Sequence, residues 1–464
     1  MLALVHVPHD NGLDKLNGAE MIGVRFTMKK ISNFSRRRFL QTSAAVSAPF
    51  ILPSGMWGAS KSGKGPNSRI TLGLIGMGRR LTGIAGAFSD SQDVQMVAVS
   101  DCVDDRLKFG AKRVEDLYKQ RKRSSKGLEQ HADFRAIIED KSIDAVAIGT
   151  PDHWHAIMSV MAANAKKHVY CEKPLTRTVD EGRAVVNAAR NNNIVFQTGS
   201  QQRTEYGGRF RQAVEYVRSG RIGDLKEVYI GVGGPAVADD LPDQKLPPGI
   251  DWEMWLGPAP QRGFNEVLCP IGVHKHFPQW RRYKEYAGGG LSDIGAHHFD
   301  IAQWAMDEDG SGPISVSPPD DKNATDGLVF KYKSGIKMTH GRQKGRRGCL
   351  FVGTRGEIYV DRGTIESTPD GILKKPLDEN DFHLPKIAPR HQFNWIDCIK
   401  SGELPVADVE IGHRTNTVCM LANIGYWLHR DLKWDPQKER FKGDKGANEL
   451  IYHRDRSPWD KALA

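Results

Sequence analysis

Lys173, Asp293 and His297 are the side chains best suited to move a proton and a hydride. Lys173 stands in Cys171-Glu172-Lys173-Pro174, directly after an apolar run. An amine at the carboxyl end of a buried strand points into the crevice where ligands bind. Beside a positively charged ring such an amine loses basicity, which suits it to hydrogen-bond or deprotonate a hydroxyl. Asp293 and His297 lie one turn apart in Gly288-Gly289-Gly290-Leu291-Ser292-Asp293-Ile294-Gly295-Ala296-His297-His298-Phe299-Asp300. On a helix capped by Ser292 they share one face, where the carboxylate orients the imidazole or binds the same hydroxyl. The helix N-terminus would keep His297 neutral, as a base must be. A surface Asp–His pair or a snorkelling lysine would show the same residues, so each string takes its meaning from the others.

A third string supplies a place for phosphate. The run ending at Ile75 passes into Gly76-Met77-Gly78-Arg79-Arg80-Leu81-Thr82-Gly83. Glycines there permit a tight turn and let backbone N–H groups approach a pyrophosphate at a helix N-terminus. The third glycine of Gly-x-Gly-x-x-Gly falls on Leu81, with Gly83 two residues late, so the fingerprint is incomplete. Asp101 ends the second strand about 25 residues on, where an acid binds the ribose hydroxyls of an adenosine. A carboxylate there repels a 2′-phosphate, which favours NAD over NADP; Asp101 could also cap a helix. In Thr150-Pro151-Asp152-His153-Trp154-His155, Thr150 fits an N-cap and Pro151 the first helical position. His153 or His155 could then contact the ribose of the nicotinamide, with a zinc pair as the rival.

The elements that position these groups follow two grammars. Apolar runs at 70–75, 94–99, 143–148, 168–170 and 194–196 are short and β-branched, and helical segments at 104–120, 153–166 and 179–191 separate them. Such alternation implies βαβ units and a doubly wound parallel sheet. Beyond residue 200, strand-like pieces at 227–233, 328–333, 336–340, 349–352 and 357–360 alternate with glycine turns, as in an antiparallel sheet. Helical patterns at 299–306, 391–400 and 411–429 would cover one of its faces, and 251–260 and 269–286, dense in Trp, His and Pro, read as loops framing a site. The division expected is 1–60, an N-terminal extension and signal; 68–198, a nucleotide domain; and 199–455, a substrate and oligomerisation domain.

Ser35-Arg36-Arg37-Arg38-Phe39-Leu40-Gln41 resembles the twin-arginine export signal, with Gln41 in place of its lysine. The weakly apolar stretch 44–56 is broken by Pro49 and Pro53 and falls short of the ~20 residues of a bilayer span. Met28-Lys29-Lys30 reads as a natural start, and Gly58-Ala59-Ser60 allows cleavage nearby. An exported, periplasmic protein without stable membrane insertion is expected; a basic disordered tail is the alternative.

A chain of 464 residues with 39% hydrophobic and 26% charged residues is that of a multi-domain globular protein. Much of the net charge of +10 sits at 29–38 and 112–126, and no aromatic residues interleave the second cluster as a nucleic-acid surface requires. The six cysteines form no Cys-x-x-Cys pair, which argues against a zinc ribbon or redox dithiol, and no metal is expected.

Together these strings resemble the glucose–fructose oxidoreductase, inositol dehydrogenase and MocA-like (Gfo/Idh/MocA) family over roughly residues 68 to 430. The resemblance implies an N-terminal Rossmann domain, then a C-terminal α/β domain whose open, largely antiparallel sheet supports a dimer or tetramer. It implies catalytic roles for Lys173, Asp293 and His297, and cofactor contacts from Gly76, Met77, Gly78, Arg79, Asp101, Thr150, Pro151, His155, Glu172 and Lys173. It also implies a cis bond between Lys173 and Pro174. Gln201, Arg203, Trp280, Arg281, Tyr283 and His298 are candidate substrate contacts. The implied activity is reversible, NAD-dependent oxidation of a secondary hydroxyl on a small carbohydrate: a sugar, cyclitol or glycoside. The alternative is a redox-neutral NAD-dependent glycoside hydrolase that oxidises, eliminates and re-reduces. Export favours a cofactor regenerated in place, because free NAD is scarce outside the cytoplasm. A non-catalytic binding protein is the third possibility, opposed by the intact Lys173, Asp293 and His297.

Overall fold

A computed structural model describes residues 68–452 and 455–463. The twin-arginine segment and Met28 lie outside the described residues. Six short strands build the first sheet: β1 (Ile70–Ile75), β2 (Val94–Ser100), β3 (Glu129–His131), β4 (Ala145–Ile148), β5 (His168–Cys171) and β6 (Phe196–Thr198). All pair in parallel in the order β3-β2-β1-β4-β5-β6. Strand order therefore reverses between β1 and β4, and a crevice opens at their carboxyl ends. Alternation along β1 sets the layers. Leu72 and Leu74 pack with the helices Arg79–Asp90 and Asp104–Gln120, whereas Ile75 packs with His155–Asn164 and Val179–Asn191 on the other face.

The second sheet is built from β7 (Leu225–Gly231), β8 (Ser315–Ser317), β9 (Val329–Lys331), β10 (Lys337–His340), β11 (Gly348–Gly353), β12 (Glu357–Val360), β13 (Ile365–Thr368), β14 (Leu432–Asp435) and β15 (Arg440–Phe441). Their order is β13-β12-β11-β7-β10-β9-β8-β14-β15, antiparallel throughout except for the parallel pair β7–β10. Arg209–Arg218, Gly295–Ala305 and Val409–Leu428 cover one face, burying Phe210, Phe299 and Leu421 against Val228, Phe330 and Phe351. Arg209–Arg218 carries no motif and went unmarked in the sequence. All eleven residues of Gly295–Ala305 are buried, so this helix is a spacer between layers and not an amphipathic surface helix.

Four local expectations are corrected. Helix His391–Ser401 lies on the parallel sheet, not the second one, because Trp395 packs edge-on against Phe88 and Tyr170. Pro151, extended at ψ 152°, takes the cap position expected of Thr150, and one 3₁₀ turn (Asp152–Trp154) precedes His155–Asn164. Ser292 is interior to the helix Gly289–Asp293, its buried hydroxyl without a hydrogen-bond partner. Residues 251–260 are not all loop: Trp252–Leu256 is helical, with Asp251 capping it through Met254 N–H.

Candidate active site

The turn after β1 forms the floor of a groove. Gly76 holds φ +86°, and a Cβ on it would strike Thr150 at 2.7 Å. A Cβ on Gly78 would meet nothing within 4 Å, so the chain leaves open space in front of the N-terminus of Arg79–Asp90, which no side chain caps. Free helix N–H groups facing such space suit a pyrophosphate. At the groove's far end Asp101 is buried, its Oδ1 accepting the Val103 N–H at 2.9 Å. Burial pushes its carboxyl above the usual range, against the charge of Arg106. Gly76, Gly78, Arg79, Asp101, Thr150 and Pro151 all line this groove, together with Trp154, Trp280 and Arg281. A dinucleotide therefore fits the residues present.

Residues from the second half of the chain strap the groove. Arg106 donates to the carbonyls of Pro270 and Gly272, and Arg79 to that of Lys275. The Arg79 guanidinium lies 4.3 Å from the centroid of Phe277.

Beside the groove is a chamber bounded by Arg80, Asp152, Glu172, Lys173, Trp280, Arg281, Asp293 and Arg362. Lys173 leaves β5 through a cis bond to Pro174, as the resemblance implied. Its Nζ donates to both Oδ1 and the backbone carbonyl of Asp293, each at 2.7 Å. Asp293 is placed by the glycines before it. Gly289 holds φ +66°, and a Cβ on Gly290 would lie 2.6 Å from Gly233 Cα, so only this tripeptide lets the helix back onto the segment after β7. Burial raises the Asp293 carboxyl, but the charges of Lys173 and Arg281 outweigh it and leave the pKa below its ordinary value. His297 is 4% exposed, and its Nδ1 has no hydrogen-bond partner. Burial first, then the charges of Lys173, Arg362 and Arg80, hold its imidazole well below the ordinary pKa. It is neutral for that reason more than for a helix dipole. Of the two expectations for Asp293, orienting the imidazole of His297 is not met, because its carboxylate serves Lys173; a shared substrate hydroxyl stays open.

Residues 70–200 match the family described as "Oxidoreductase family, NAD-binding Rossmann fold", and residues 234–461 the one described as "Oxidoreductase family, C-terminal alpha/beta domain". The chain belongs to the Gfo/Idh/MocA oxidoreductase family. It is 24% identical over 384 residues to a myo-inositol 2-dehydrogenase of Thermotoga maritima, covering 78% of this chain and 96% of that protein. It is 32% identical over 194 residues to a glycosyl hydrolase family 109 protein of Solibacter usitatus, covering 40% of this chain and 41% of the relative. The fold is shared with a levoglucosan dehydrogenase solved in complex with NADH: TM-score 0.52, 19% identity, 79% of this chain and 99% of that one. This Gfo/Idh/MocA chain is therefore an NAD-dependent oxidoreductase.

Several of the expected contact residues do other work here. Arg203 is not a substrate contact: it is 1% exposed and grips Asp300 and Asp309. Gln201 donates to Tyr170 Oη and Glu172 Oε1, both at 2.8 Å, so it supports Glu172 from behind the wall. Tyr283 packs into the aromatic cluster around Trp252 and Trp255, outside groove and chamber. His298 points away, with Nδ1 3.5 Å from Cys349 Sγ and Nε2 3.7 Å from Asp361. Met77 turns its side chain into the core against Gly110. His155 lines the chamber, yet its Nδ1 faces Pro174 O at 2.7 Å and its Nε2 faces Thr150 O at 3.1 Å, leaving neither nitrogen for a ribose. Nor do His155 and His153 pair on a metal, since His153 Nε2 faces Trp255 O at 2.9 Å. Trp280, Arg281 and Glu172 do border the chamber.

Three further groups border the chamber that no motif in the sequence marks as site residues. Asp152 lies inside the Thr150–His155 string; burial pushes its carboxyl to about 8, against the charges of Arg281 and Lys173. Arg80 is 2.9 Å from Glu172 Oε1 and was hidden by its neighbour Arg79. Arg362 sits in the tight turn joining β12 to β13, where no local signal marks it.

Proposed function

We propose that this chain reversibly oxidises a secondary hydroxyl of a sugar, cyclitol or glycoside, with NAD preferred to NADP. The Lys173–Asp293 contact at the mouth of the crevice carries the reading, because it brings an ammonium and a carboxylate from distant parts of the sequence beside the nucleotide groove. Lys173 Nζ hydrogen-bonds the substrate hydroxyl oxygen and stabilises negative charge there. Asp293 fixes that ammonium through Oδ1. His297, held neutral by burial and by the charge of Lys173, is the candidate base for the hydroxyl proton, although its Nδ1 is buried and the residue lies outside the chamber lining. Gly76, Gly78, Arg79 and Asp101 would hold the dinucleotide, which supplies the hydride-accepting ring carbon when bound. The myo-inositol and levoglucosan dehydrogenases similar to this chain support a polyhydroxylated substrate. The face of the second sheet that bears the half-buried Tyr229 and Tyr359 suits a dimer or tetramer, and the Arg36-Arg37 motif supports export to the periplasm.

A second reading is favoured by the strap. Arg79, Arg106 and Phe277 close residues 270–277 over the groove. A cofactor held beneath it would be reused between turnovers, as a redox-neutral glycoside hydrolase requires. Purified full-length protein incubated with polyols and aryl glycosides separates the two. NADH accumulation without aglycone supports net oxidation; aglycone release without net NADH supports the hydrolytic cycle. Neither product across the panel would remove both.

A further inference from the structure

The chamber holds more positive charge than its own carboxylates balance. Arg80 faces Glu172 at 2.9 Å and Lys173 faces Asp293 at 2.7 Å, two matched pairs. Among carboxylates Arg281 reaches only the Asp293 oxygen already used by Lys173, at 3.7 Å; it also donates to the Pro278 carbonyl at 3.2 Å and stacks 4.1 Å from the centroid of Trp280. Arg362 has no carboxylate within ion-pair distance among the described residues. Its Nε donates to Gln202 Oε1 at 3.1 Å, and its guanidinium lies 5.0 Å from the Tyr206 ring centroid. Burial pushes the remaining acid, Asp152, up to about 8, against the charges of Arg281 and Lys173, and even fully ionised it would leave four cations facing three carboxylates.

A cation kept beside other cations without a counter-ion costs free energy that an anionic ligand recovers. The dinucleotide's phosphates do not explain Arg362, because it borders only the chamber and not the groove of Gly76, Gly78 and Asp101. Arg362 instead shares the chamber lining with Lys173 and Asp293, and after burial and Lys173 its charge adds to what sets the pKa of Asp293 and His297. Its polar fork and stacked plane are the usual means of fixing a carboxylate or phosphate.

We infer that the substrate is a carbohydrate bearing one anionic substituent, held by Arg362 with Arg281 while its hydroxyl meets Lys173. This rests on the oxidoreductase reading and narrows it: a hexuronate or aldonate class if the anion is a carboxylate, a sugar phosphate otherwise. Arg362 would be a specificity residue.

The test is steady-state kinetics of the full chain with a neutral hexose, the matching hexuronate and the hexose 6-phosphate, at low and high salt. Equilibrium titration of each into NADH-loaded protein runs in parallel. One anionic sugar should exceed the neutral one by about tenfold in kcat/KM, or in affinity where turnover is slow, and high salt should narrow the gap. Which anion wins identifies the substituent. In Arg362→Gln that ratio should collapse through KM, and Arg362→Lys should restore part of it. Turnover of the neutral sugar with an equal or larger kcat/KM, unaltered in ratio by Arg362→Gln, overturns the charge inference and leaves the oxidoreductase reading intact. Absence of any NADH from all three sugars counts against the oxidoreductase reading. Absence of charge-dependent binding in the titration overturns the inference independently.

Discussion

Lys173 Nζ sits 2.7 Å from Asp293 Oδ1, tying the end of β5 to a helix 120 residues downstream. The contact lets the parallel-sheet half and the second half share one site. Lys173→Ala is expected to lower turnover by about 10²–10⁴-fold while the protein still takes up NAD, as judged by quenching of tryptophan fluorescence. Full retained activity would take Lys173 out of the mechanism.

The acid limb of the pH–rate profile should report protonation of His297. Burial and three nearby cations keep that imidazole below its ordinary 6.5, so the base stays neutral well into the acid range. Removing a cation favours the protonated ring, and its pKa rises. Arg362→Gln should therefore move the acid limb to higher pH. A limb that stays put, in a variant that still folds and turns over, would mean another group takes the proton.

Asp101 faces the adenosine end of the groove with one oxygen committed to Val103 N–H. Asp101→Ser should weaken NAD binding and relieve repulsion of a 2′-phosphate, shifting the NAD:NADP ratio of kcat/KM by about tenfold or more toward NADP. An unchanged ratio would assign Asp101 to packing alone.

The sequence marks the chemistry better than the packing that supports it. The strands of the parallel sheet are legible because each is a short β-branched run, and Asp104–Gln120 and Val179–Asn191 read to the residue from their periodicity. The missing third glycine is explained only in three dimensions. Leu81 occupies that position, and Gly149 at the end of β4 gives the room instead, since a Cβ there would lie 2.9 Å from Leu81 Cβ. Gly83, two residues late, touches nothing a Cβ would meet and is no substitute. Arg203 and Gln201 read as ligand contacts in the sequence because a polar residue near a motif looks like one. Their partners Asp300, Asp309 and Glu172 are far away in sequence. Arg362 was invisible for the converse reason: a hairpin turn carries no periodicity to say which way it faces.

The Gly149–Leu81 contact can be measured. Gly149→Ala should destabilise the protein by about 1–3 kcal/mol in chemical denaturation, the range for overpacking. Leu81→Ala should cost by leaving a cavity, yet the double variant should recover part of both losses. Strict additivity would mean the helix and strand relax independently.

A charge network locks the two halves and sets acid stability. Arg183 pairs with Glu410 at 2.8 Å and Glu439 at 2.7 Å, and His413 Nε2 lies 2.6 Å from Glu439. Burial raises both carboxyls, but Arg183 with its hydrogen bonds wins, bringing Glu410 from 4.5 down to about 2 and lowering Glu439 further. Depressed folded-state values mean the stabilisation is complete above the unfolded value near 4.5 and is lost as pH falls toward 2. The melting temperature should thus drop steeply below pH ~4.5. Arg183→Met should cost about 1–3 kcal/mol at pH 7, given the partial exposure of Arg183, and should flatten that acid dependence.

The strap gives the last test, and it bears on which reaction the enzyme runs. Phe277 is 51% exposed yet lies over the Arg79 guanidinium, with Arg281 5.1 Å from its centroid, so its ring is held by two cations and by the bonds of Arg79 and Arg106 to the backbone of its segment. A cation–π contact of this exposure contributes about 0.5–1 kcal/mol, or roughly two- to fivefold in an opening equilibrium. Phe277→Ala should speed NADH release by about that factor, and Arg79→Ala by more, because it removes the ring contact, the Lys275 bond and a phosphate partner together. If the enzyme recycles its cofactor in place, both variants should lose activity on prolonged incubation unless NAD is added. If it exchanges cofactor every turnover, faster release should leave kcat unchanged or raise it. The sign of the effect on kcat therefore separates net oxidation from the closed cycle.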